Sequence, residues 1–113
     1  MFVPGVIPGE RCEIRIDHVG RTCAYGSLVR VEKPSEHRVT PECESFGHCG
    51  GCVFWHMDYA CELEQKRRRV QDALSRIGGI DFPDLQITGS ESIYGYRNKV
   101  QFPVQVQNGK AAA

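Results

Sequence analysis

Cysteines carry most of the chemistry available to this sequence, and four of the six lie within residues 41–61. Their spacing is Cys43-x5-Cys49-x2-Cys52-x8-Cys61, with Gly50 and Gly51 between the second and the third. Glycine lets the backbone turn tightly, so neighbouring thiolates in this stretch can converge on one ion or cluster. A disulfide pair is the alternative, but the sequence shows no signal-peptide pattern and gives no support to an oxidising compartment. We therefore predict a metal or cluster site in a cytoplasmic protein.

The identity of the metal depends on the ligand spacing. Structural zinc prefers ligands two to four residues apart, whereas an iron-sulfur cube takes one thiolate per iron and tolerates wider intervals. The first interval here is wide and favours the cube. Zinc stays open because His56 lies four residues after Cys52 and could complete a site of three cysteines and one histidine. Cys61 is another candidate for the fourth ligand, although its helical position is roughly opposite the apolar side chains.

Composition limits the classes of protein that fit. The chain has 113 residues, 41% of them hydrophobic and 25% charged, with a formal net charge of zero. This is enough for one domain or two very small modules, and it excludes a disordered tail. The balanced charge gives no global signal for nucleic acid, so such binding would depend on local patches. No apolar run approaches the ~20 residues of a membrane-spanning helix, so we expect no membrane partner, and we expect a monomer.

The first part of the chain reads as two strands. Cys12, Ile14 and Ile16 alternate with polar residues, as in a half-buried strand, and Cys12 is assigned to the core. A second strand covers residues 24–32, with Tyr25, Val29 and Val31 expected on one face, and Cys23 is assigned a structural role. The pattern predicts part of a small antiparallel barrel, followed by a polar linker at residues 35–40.

The second half contains the strongest helix signal. Asp58 can cap a helix that runs to Ile77 and ends at Gly78-Gly79. Its apolar stripe consists of Tyr59, Leu63, Val70, Leu74 and Ile77.

The same helix carries a basic run, residues 66–69, flanked by Glu62 and Glu64. Two interpretations stay open for it: RNA contact, or a solvated face with partly neutralised charges.

An alternating strand at residues 100–106 leads to Asn108-Gly109, which predicts a hairpin turn. The residues after that turn look too few to form a returning arm, so we expect a chain cut in mid-element.

Three stretches carry a family resemblance: VPGVIPGERCEIRI, PSEHRVTPECESFGHCGGCVFWHMDYACELEQKRRRVQDALSRIGG and YGYRNKVQFPV. Together they resemble the N-terminal region of bacterial 23S rRNA (uracil-5-)-methyltransferases, which are similar to the tRNA uracil-5-methyltransferases. The cysteine stretch and the YRNKVQF motif are the most specific parts of the resemblance, which spans nearly the whole chain.

The resemblance implies an α+β, mainly β fold in three parts. Residues 1–34 would be part of a TRAM domain, an OB-like RNA-binding barrel. Residues 35–57 would be the linker and the iron-sulfur loop, and residues 58–113 the helix and the start of a truncated central β domain.

The resemblance also implies a function. Cys43, Cys49 and Cys52 match the first three ligands of the family's 4Fe-4S cluster, and the fourth ligand and the S-adenosylmethionine domain come later in the family's sequence. No catalytic residue is assigned here, and the chain alone is expected to be inactive. The expected partner is RNA, rRNA before tRNA, and a stand-alone zinc or iron-sulfur RNA-binding adaptor is the alternative. The candidate RNA-binding residues are Lys66, Arg67, Arg68, Arg97 and Lys99, while Phe54, Trp55, Tyr94 and Tyr96 could stack on bases. For Phe54 and Trp55, packing over the cluster is the other interpretation.

Overall fold

A computed structural model describes residues 1–99, 105–107 and 110–112 of the chain. The elements are strands β1 (Arg11–Val19) and β2 (Ala24–Lys33), helix α1 (Tyr59–Asp72) with a π-helical last turn (Ala73–Ile77), and strands β3 (Gln105–Gln107) and β4 (Lys110–Ala112). The small, mainly β fold with one helix is therefore confirmed. The described strands form two separate two-stranded sheets, and neither has enough strands to close a barrel.

Strands β1 and β2 form an irregular antiparallel hairpin. The register shifts at three places, between Arg11 and Cys12, Glu13 and Ile14, and Ile16 and His18. Each shift moves the following side chains relative to the two faces, so the strict alternation predicted from the sequence is wrong beyond Ile14. Cys12 and Ile14 are half-buried as expected, whereas Ile16, Tyr25 and Val29 are exposed.

The N-terminal segment covers part of the free edge of β2. Phe2 donates its N–H to the Ala24 carbonyl at 2.8 Å and accepts from the N–H of Gly26 at 2.9 Å. Its ring stacks on Tyr25 with 5.5 Å between ring centroids. Gly26 is required here, because a Cβ atom at this position would lie 2.7 Å from the Arg15 carbonyl oxygen. The pairing shields backbone groups of β2 that would otherwise be left open.

A small core joins the segment before β1 to the start of the helix. Ile7, Met57 and Cys61 are buried together, and Phe54 packs against them. Cys61 is only 8% exposed and is the buried residue of α1, whereas Val70 and Ile77 of the predicted apolar stripe are exposed. The predicted burial of the stripe was therefore wrong at Val70 and Ile77, whereas Tyr59, Leu63 and Leu74 are half-buried. The stripe follows helical periodicity, but the core residues Ile7 and Met57 pack near the first turn of the helix, on its Cys61 side.

The segment at residues 35–40 is held in place rather than acting as a simple linker. The Glu10 side chain is 1% exposed and accepts hydrogen bonds from Nε and Nη2 of Arg38 and from the backbone N–H groups of Ile7 and Ser35. Arg38 Nη2 also donates to the Gly5 carbonyl at 2.7 Å. The guanidinium of Arg38 holds the pKa of Glu10 at about 2. This ion pair fastens residues 35–40 to residues 1–34, which contain β1 and β2 and which we call the β1–β2 module.

The start of α1 is capped as predicted. Asp58 Oδ1 accepts from the backbone N–H of Cys61 at 2.7 Å, and Asp58 Oδ2 lies 2.7 Å from Nδ1 of His37. The cap hydrogen bond and His37 lower the pKa of Asp58, while the hydrogen bond to Asp58 raises the pKa of His37. The helical segment ends at Ile77, before Gly78 and Gly79, as the sequence indicated. No helix among the described residues is long and apolar enough to cross a membrane.

The end of the chain differs from the sequence-based prediction. Strand β4 pairs antiparallel with β3, with Gln105 opposite Ala112 and Gln107 opposite Lys110. The expectation that the hairpin lacks a returning arm was wrong, because three residues on each side suffice for a short ladder. The turn itself at Asn108-Gly109 and the first part of the predicted strand, residues 100–104, lie outside the described residues.

Candidate cysteine loop and nucleic-acid interface

The cysteines of the candidate site lie in a loop, residues 40–55, whose two ends are held together. Arg38 and Met57 form an isolated antiparallel bridge. The N–H of Val39 donates to the His56 carbonyl at 3.1 Å, and the N–H of Asp58 donates to the His37 carbonyl at 2.9 Å. We call residues 40–55 the cysteine loop and this pairing its neck. The neck fixes where the loop begins and ends without using any cysteine side chain.

Within the cysteine loop, successive turns curl the backbone. The N–H of Phe46 donates to the Cys43 carbonyl at 3.0 Å, and the N–H of Cys49 donates to the Ser45 carbonyl at 3.1 Å. Gly47 and Gly50 have φ values of +84° and +70°, which other residues rarely adopt. The backbone N–H of Gly51 donates to Cys49 Sγ at 3.4 Å. The glycines therefore do what the sequence suggested, since they let the loop double back on itself.

Cys43 is half-buried, and Cys49 and Cys52 are exposed. Within the part of the chain that the structure describes, no three His, Cys, Asp or Glu side chains are grouped closely enough to hold a metal ion. The donor chemistry nevertheless suits an iron-sulfur cluster, because three thiols share one short loop and a backbone N–H already donates to one sulfur. Hydrogen bonds of this kind to thiolate sulfurs tune the reduction potential of such clusters.

Cys61, the other candidate ligand, is outside the cysteine loop in sequence and is buried in the core with Ile7 and Met57. Burial raises the pKa of its thiol, and so does the nearby Asp58 carboxylate. A thiolate is the form that binds metal, so both effects oppose a ligand role. The structure therefore assigns Cys61 a packing contact.

His56 is 5% exposed and packs its ring against Phe46 of the cysteine loop, with 5.7 Å between ring centroids. Neither ring nitrogen has a hydrogen-bond partner among the described residues. Burial, followed by the positive charge of Arg38, lowers the pKa of this imidazole, which therefore stays neutral. A neutral imidazole is a nitrogen donor suited to zinc, and this one follows the cysteine loop in sequence, so the zinc interpretation retains a physical basis.

The basic run of α1 is largely paired with acidic residues of the same helix. Arg67 makes a two-pronged contact with Glu64 at 2.8 and 2.9 Å, and Arg68 Nε donates to Glu64 at 2.6 Å. Lys66 pairs with Glu62 at 2.5 Å. Arg67, then Arg68, hold the pKa of Glu64 at about 2, so its carboxylate stays charged at neutral pH. These pairs favour the interpretation of the run as a solvated face.

An open groove of about 970 Å³ lies between the cysteine loop, the first turns of α1 and the segment at residues 90–97. We call it the aromatic groove; its aromatic lining consists of Phe54, Trp55, Tyr59, Tyr94 and Tyr96. The rings of Trp55 and Tyr94 meet across it with 5.9 Å between centroids. The N–H of Ser90 donates to the Tyr59 hydroxyl at 2.7 Å, which ties the 90–97 segment to the helix.

Two cations lie over aromatic rings of the groove. Lys66 Nζ is 5.9 Å from the centroid of the Phe54 ring, and the Arg97 guanidinium is 5.8 Å from that of Tyr96. Glu42, Asp58 and Glu62 also line the groove. Of these, Asp58 is engaged by His37 and the helix cap, and Glu62 by Lys66. Arg97 and Lys99 are both exposed.

Sequence reasoning named the aromatic residues singly and did not predict that they share one groove. The sequence does show aromatic and basic residues in two stretches that are far apart. It does not show which residues of the two stretches come into contact.

Comparisons with known proteins give a consistent result. An uncharacterized RNA methyltransferase of Clostridium tetani is 44% identical over 110 residues, which is 97% of this chain and 24% of that protein. Uncharacterized RNA methyltransferases of Nostoc sp. and Porphyromonas gingivalis are each 41% identical, over 94% and 90% of this chain. No family model matches the chain.

Homology at this level extends over the β1–β2 module, the cysteine loop and the helix together. The chain belongs to the family of these RNA methyltransferases. It spans 24% and 23% of the length of the first two relatives.

Proposed function

We propose that this chain is the RNA-recognition and iron-sulfur part of an S-adenosylmethionine-dependent RNA uracil-5-methyltransferase. Its relatives are named as RNA methyltransferases, which supports RNA as the partner. The uracil specificity rests on the resemblance of the cysteine stretch and the YRNKVQF motif. We propose rRNA as the substrate before tRNA, and the β1–β2 module as part of a TRAM-type RNA-binding unit.

The aromatic groove is the observation that carries this proposal. Single-stranded RNA is bound by stacking its bases on aromatic rings and by pairing its phosphates with cations. Exposed and half-buried rings line both sides of this groove, and Arg97 lies at its edge with its guanidinium over Tyr96. Most of the acidic lining is already engaged by neighbouring groups, so the groove can accept an anionic strand.

The groove is a better RNA site than the basic run of α1. Arg67 and Arg68 share the carboxylate of Glu64 and would have to leave it before they could pair with phosphate. Among the contacts that the structure describes, Arg97 and Lys99 have no acidic partner that they would have to leave before pairing with a phosphate. The groove also adjoins the cysteine loop, so RNA binding and cluster binding would affect the same segment.

The cluster would be held by Cys43, Cys49 and Cys52 together with a fourth ligand that the resemblance places further along the family's sequence. A 4Fe-4S cluster with four protein ligands has no open iron and would supply cross-linking of the loop rather than catalysis. The chain's own contribution is to close the neck and to place the loop beside the groove. Phe54 links the two, because it is a residue of the cysteine loop that packs on the core and also lines the groove.

Methyl transfer by the whole enzyme requires chemistry that we assign to no residue of this chain. Carbon-5 of uracil becomes a nucleophile only after a thiolate adds at carbon-6, and the base must first leave its stack. A groove that holds the flanking nucleotides by stacking would stabilise the strand in that extended state. This is the step to which the described residues would contribute.

Replacement of Trp55 by Ala is expected to weaken binding of a fluorescein-labelled, uridine-rich single-stranded RNA by about fivefold or more, because one stacking platform is lost.

Arg97→Gln is expected to weaken binding of the same RNA severalfold and to reduce the salt dependence by about one phosphate contact. Fluorescence anisotropy over a series of salt concentrations measures both quantities.

Arg76→Gln is the matched control, since Arg76 is exposed on α1 and pairs with Asp72 at 3.7 Å, away from the groove. It should bind RNA like the wild type, and Trp55→Phe should restore most of the binding lost in Trp55→Ala. Normal RNA binding by Trp55→Ala and Arg97→Gln, with a loss in an Arg67→Gln/Arg68→Gln variant, would move the interface to the helix and contradict the groove.

A further inference from the structure

Cys49 and Cys52 differ from the other cysteines in their accessibility. All six cysteines lie within residues 1–99, and only these two are exposed. Cys61 is buried in the core, and the other three are half-buried. Cys12 Sγ lies 3.9 Å from Glu10 Oε2 and Cys23 Sγ lies 3.7 Å from the Tyr25 hydroxyl, both on the β1–β2 module. The two thiols that solvent reaches most freely are therefore separated by only two residues.

The bent backbone between them places the Cys49 sulfur against Gly51. Gly50 adopts a φ of +70°, and bends occur at residues 49 and 51. Cys49 Sγ accepts the N–H of Gly51 at 3.4 Å, and it lies 3.5 Å from the point that a Cβ atom on Gly51 would occupy. The sulfur therefore sits over the residue that immediately precedes Cys52. With no side chain at Gly50 or Gly51, nothing on these two residues separates the two thiols.

Disulfides need Cα atoms about 4.4–6.8 Å apart. Residues three positions apart across a tight turn have Cα atoms less than about 7 Å apart. The bends at residues 49 and 51 and the positive φ of Gly50 suit that requirement. The neck holds residues 37–39 against residues 56–58 through backbone hydrogen bonds, so closing the disulfide requires only local movement of the loop tip.

We propose that Cys49 and Cys52 form a reversible disulfide when the chain carries no metal, and that this disulfide blocks metal loading of the cysteine loop. The first half depends only on the two thiols. The second half rests on the proposed function, because it assumes that both sulfurs are metal ligands. A sulfur engaged in a disulfide has no thiolate to offer a metal.

The oxidation is a two-step exchange with a low-molecular-weight disulfide such as oxidised glutathione. One cysteine thiolate, written here as that of Cys49, attacks a glutathione sulfur, which forms a mixed disulfide and releases one reduced glutathione. The Cys52 thiolate then attacks Cys49 Sγ and displaces the second reduced glutathione. Two protein thiols are oxidised and one glutathione disulfide is reduced to two thiols. The reverse exchange, driven by excess reduced glutathione, restores the loop.

The test begins with the metal-free, fully reduced chain in glutathione buffers of increasing oxidised fraction, followed by alkylation and intact mass analysis. We expect a population lighter by two hydrogen atoms with four alkylated thiols, and peptide mapping should join Cys49 to Cys52. Excess reduced glutathione should return it to six alkylated thiols. The far-ultraviolet circular dichroism should change little, because the neck and the helix do not take part.

Single variants identify the pair. Cys52→Ser should accumulate a glutathione adduct on Cys49, because the second displacement is no longer available, and Cys49→Ser should accumulate it on Cys52. Cys23→Ser is the matched control and should form the disulfide like the wild type. Six alkylated thiols at every buffer ratio, or a mapped bond between other cysteines, would overturn the proposal.

Metal uptake separates this inference from the proposed function. The reduced chain, reconstituted with iron and sulfide or titrated with zinc, should bind metal, and the oxidised chain should not. Disulfide formation without metal uptake by the reduced chain would count against the metal site and leave the disulfide standing. Equal uptake by both forms would overturn the blocking role.

Discussion

A Glu10→Ala variant is expected to lose about 2–3 kcal/mol of unfolding free energy, because one partner of a partly buried ion pair is removed and the charged hydrogen bonds of the other are left unmade. The Glu10 side chain is 1% exposed, and that of Arg38 is 23% exposed. Without the carboxylate, the guanidinium keeps only the Gly5 carbonyl, at 2.7 Å, among the contacts of the described residues. The N–H groups of Ile7 and Ser35 also lose their side-chain acceptor.

Glu13→Ala is the matched control for this change. Glu13 lies on β1 and pairs with Arg30 at 2.7 Å, but both side chains are at least 49% exposed, so the expected loss is about 1 kcal/mol or less. Urea unfolding followed by circular dichroism measures both variants. Equal losses for Glu10→Ala and Glu13→Ala would show that the Glu10–Arg38 pair does not fasten residues 35–40 to the β1–β2 module.

The same carboxylate sets part of the acid sensitivity. Arg38 lowers the pKa of Glu10 from 4.5 to about 2 in the folded chain. A lowered pKa stabilises the fold above the unfolded-state value, and that stabilisation is lost as pH falls from 4.5 toward 2. Glu10→Gln cannot titrate, so its unfolding free energy should fall less over this interval than that of the wild type.

Anaerobic reconstitution with iron and sulfide is expected to give a brown protein, and Cys43→Ser, Cys49→Ser and Cys52→Ser are each expected to lose most of the iron. Every ligand lost leaves one iron without its thiolate, and the cysteine loop has no spare thiol to replace it. Cys61→Ala is the matched control and should keep the iron, because Cys61 packs with Ile7 and Met57 in the core. Iron and sulfide analysis with the visible absorption spectrum measures the outcome.

Zinc provides the opposing result. One equivalent of zinc per chain without iron uptake would contradict the cluster, and loss of that zinc in His56→Gln would identify the three-cysteine, one-histidine site. His56 is the residue to test, because its ring nitrogens have no hydrogen-bond partner among the described residues and it packs on Phe46 of the cysteine loop.

Much of the candidate site could be predicted from the sequence, because its signals are local. The spacing of Cys43, Cys49 and Cys52 and the two intervening glycines predicted a tight loop, and the backbone shows one. The ligand role of these cysteines stays a prediction. The aromatic groove could not be predicted, because Trp55 and Tyr94 are far apart in the sequence and meet only through the fold.

The sequence by itself determined the local elements of this protein. Asp58 caps α1, Gly78 and Gly79 follow its last turn, and the two N-terminal strands pair as a hairpin. Each of these features depends on hydrogen bonds between residues close in the chain or on the periodicity of apolar side chains. Local hydrogen bonding and periodicity can both be recognised in a short stretch of sequence.

Only the tertiary structure decided which faces are buried. Cys61 lies in the core although the apolar stripe points elsewhere, because Ile7 and Met57 cover the first turn of the helix rather than its length. The register shifts of the β1–β2 hairpin leave Tyr25 and Val29 on the exposed side. Glu10 pairs with Arg38, which lies 28 residues away in the sequence. Burial is a property of whichever segments meet in space, and a periodic pattern records only which residues could be buried together.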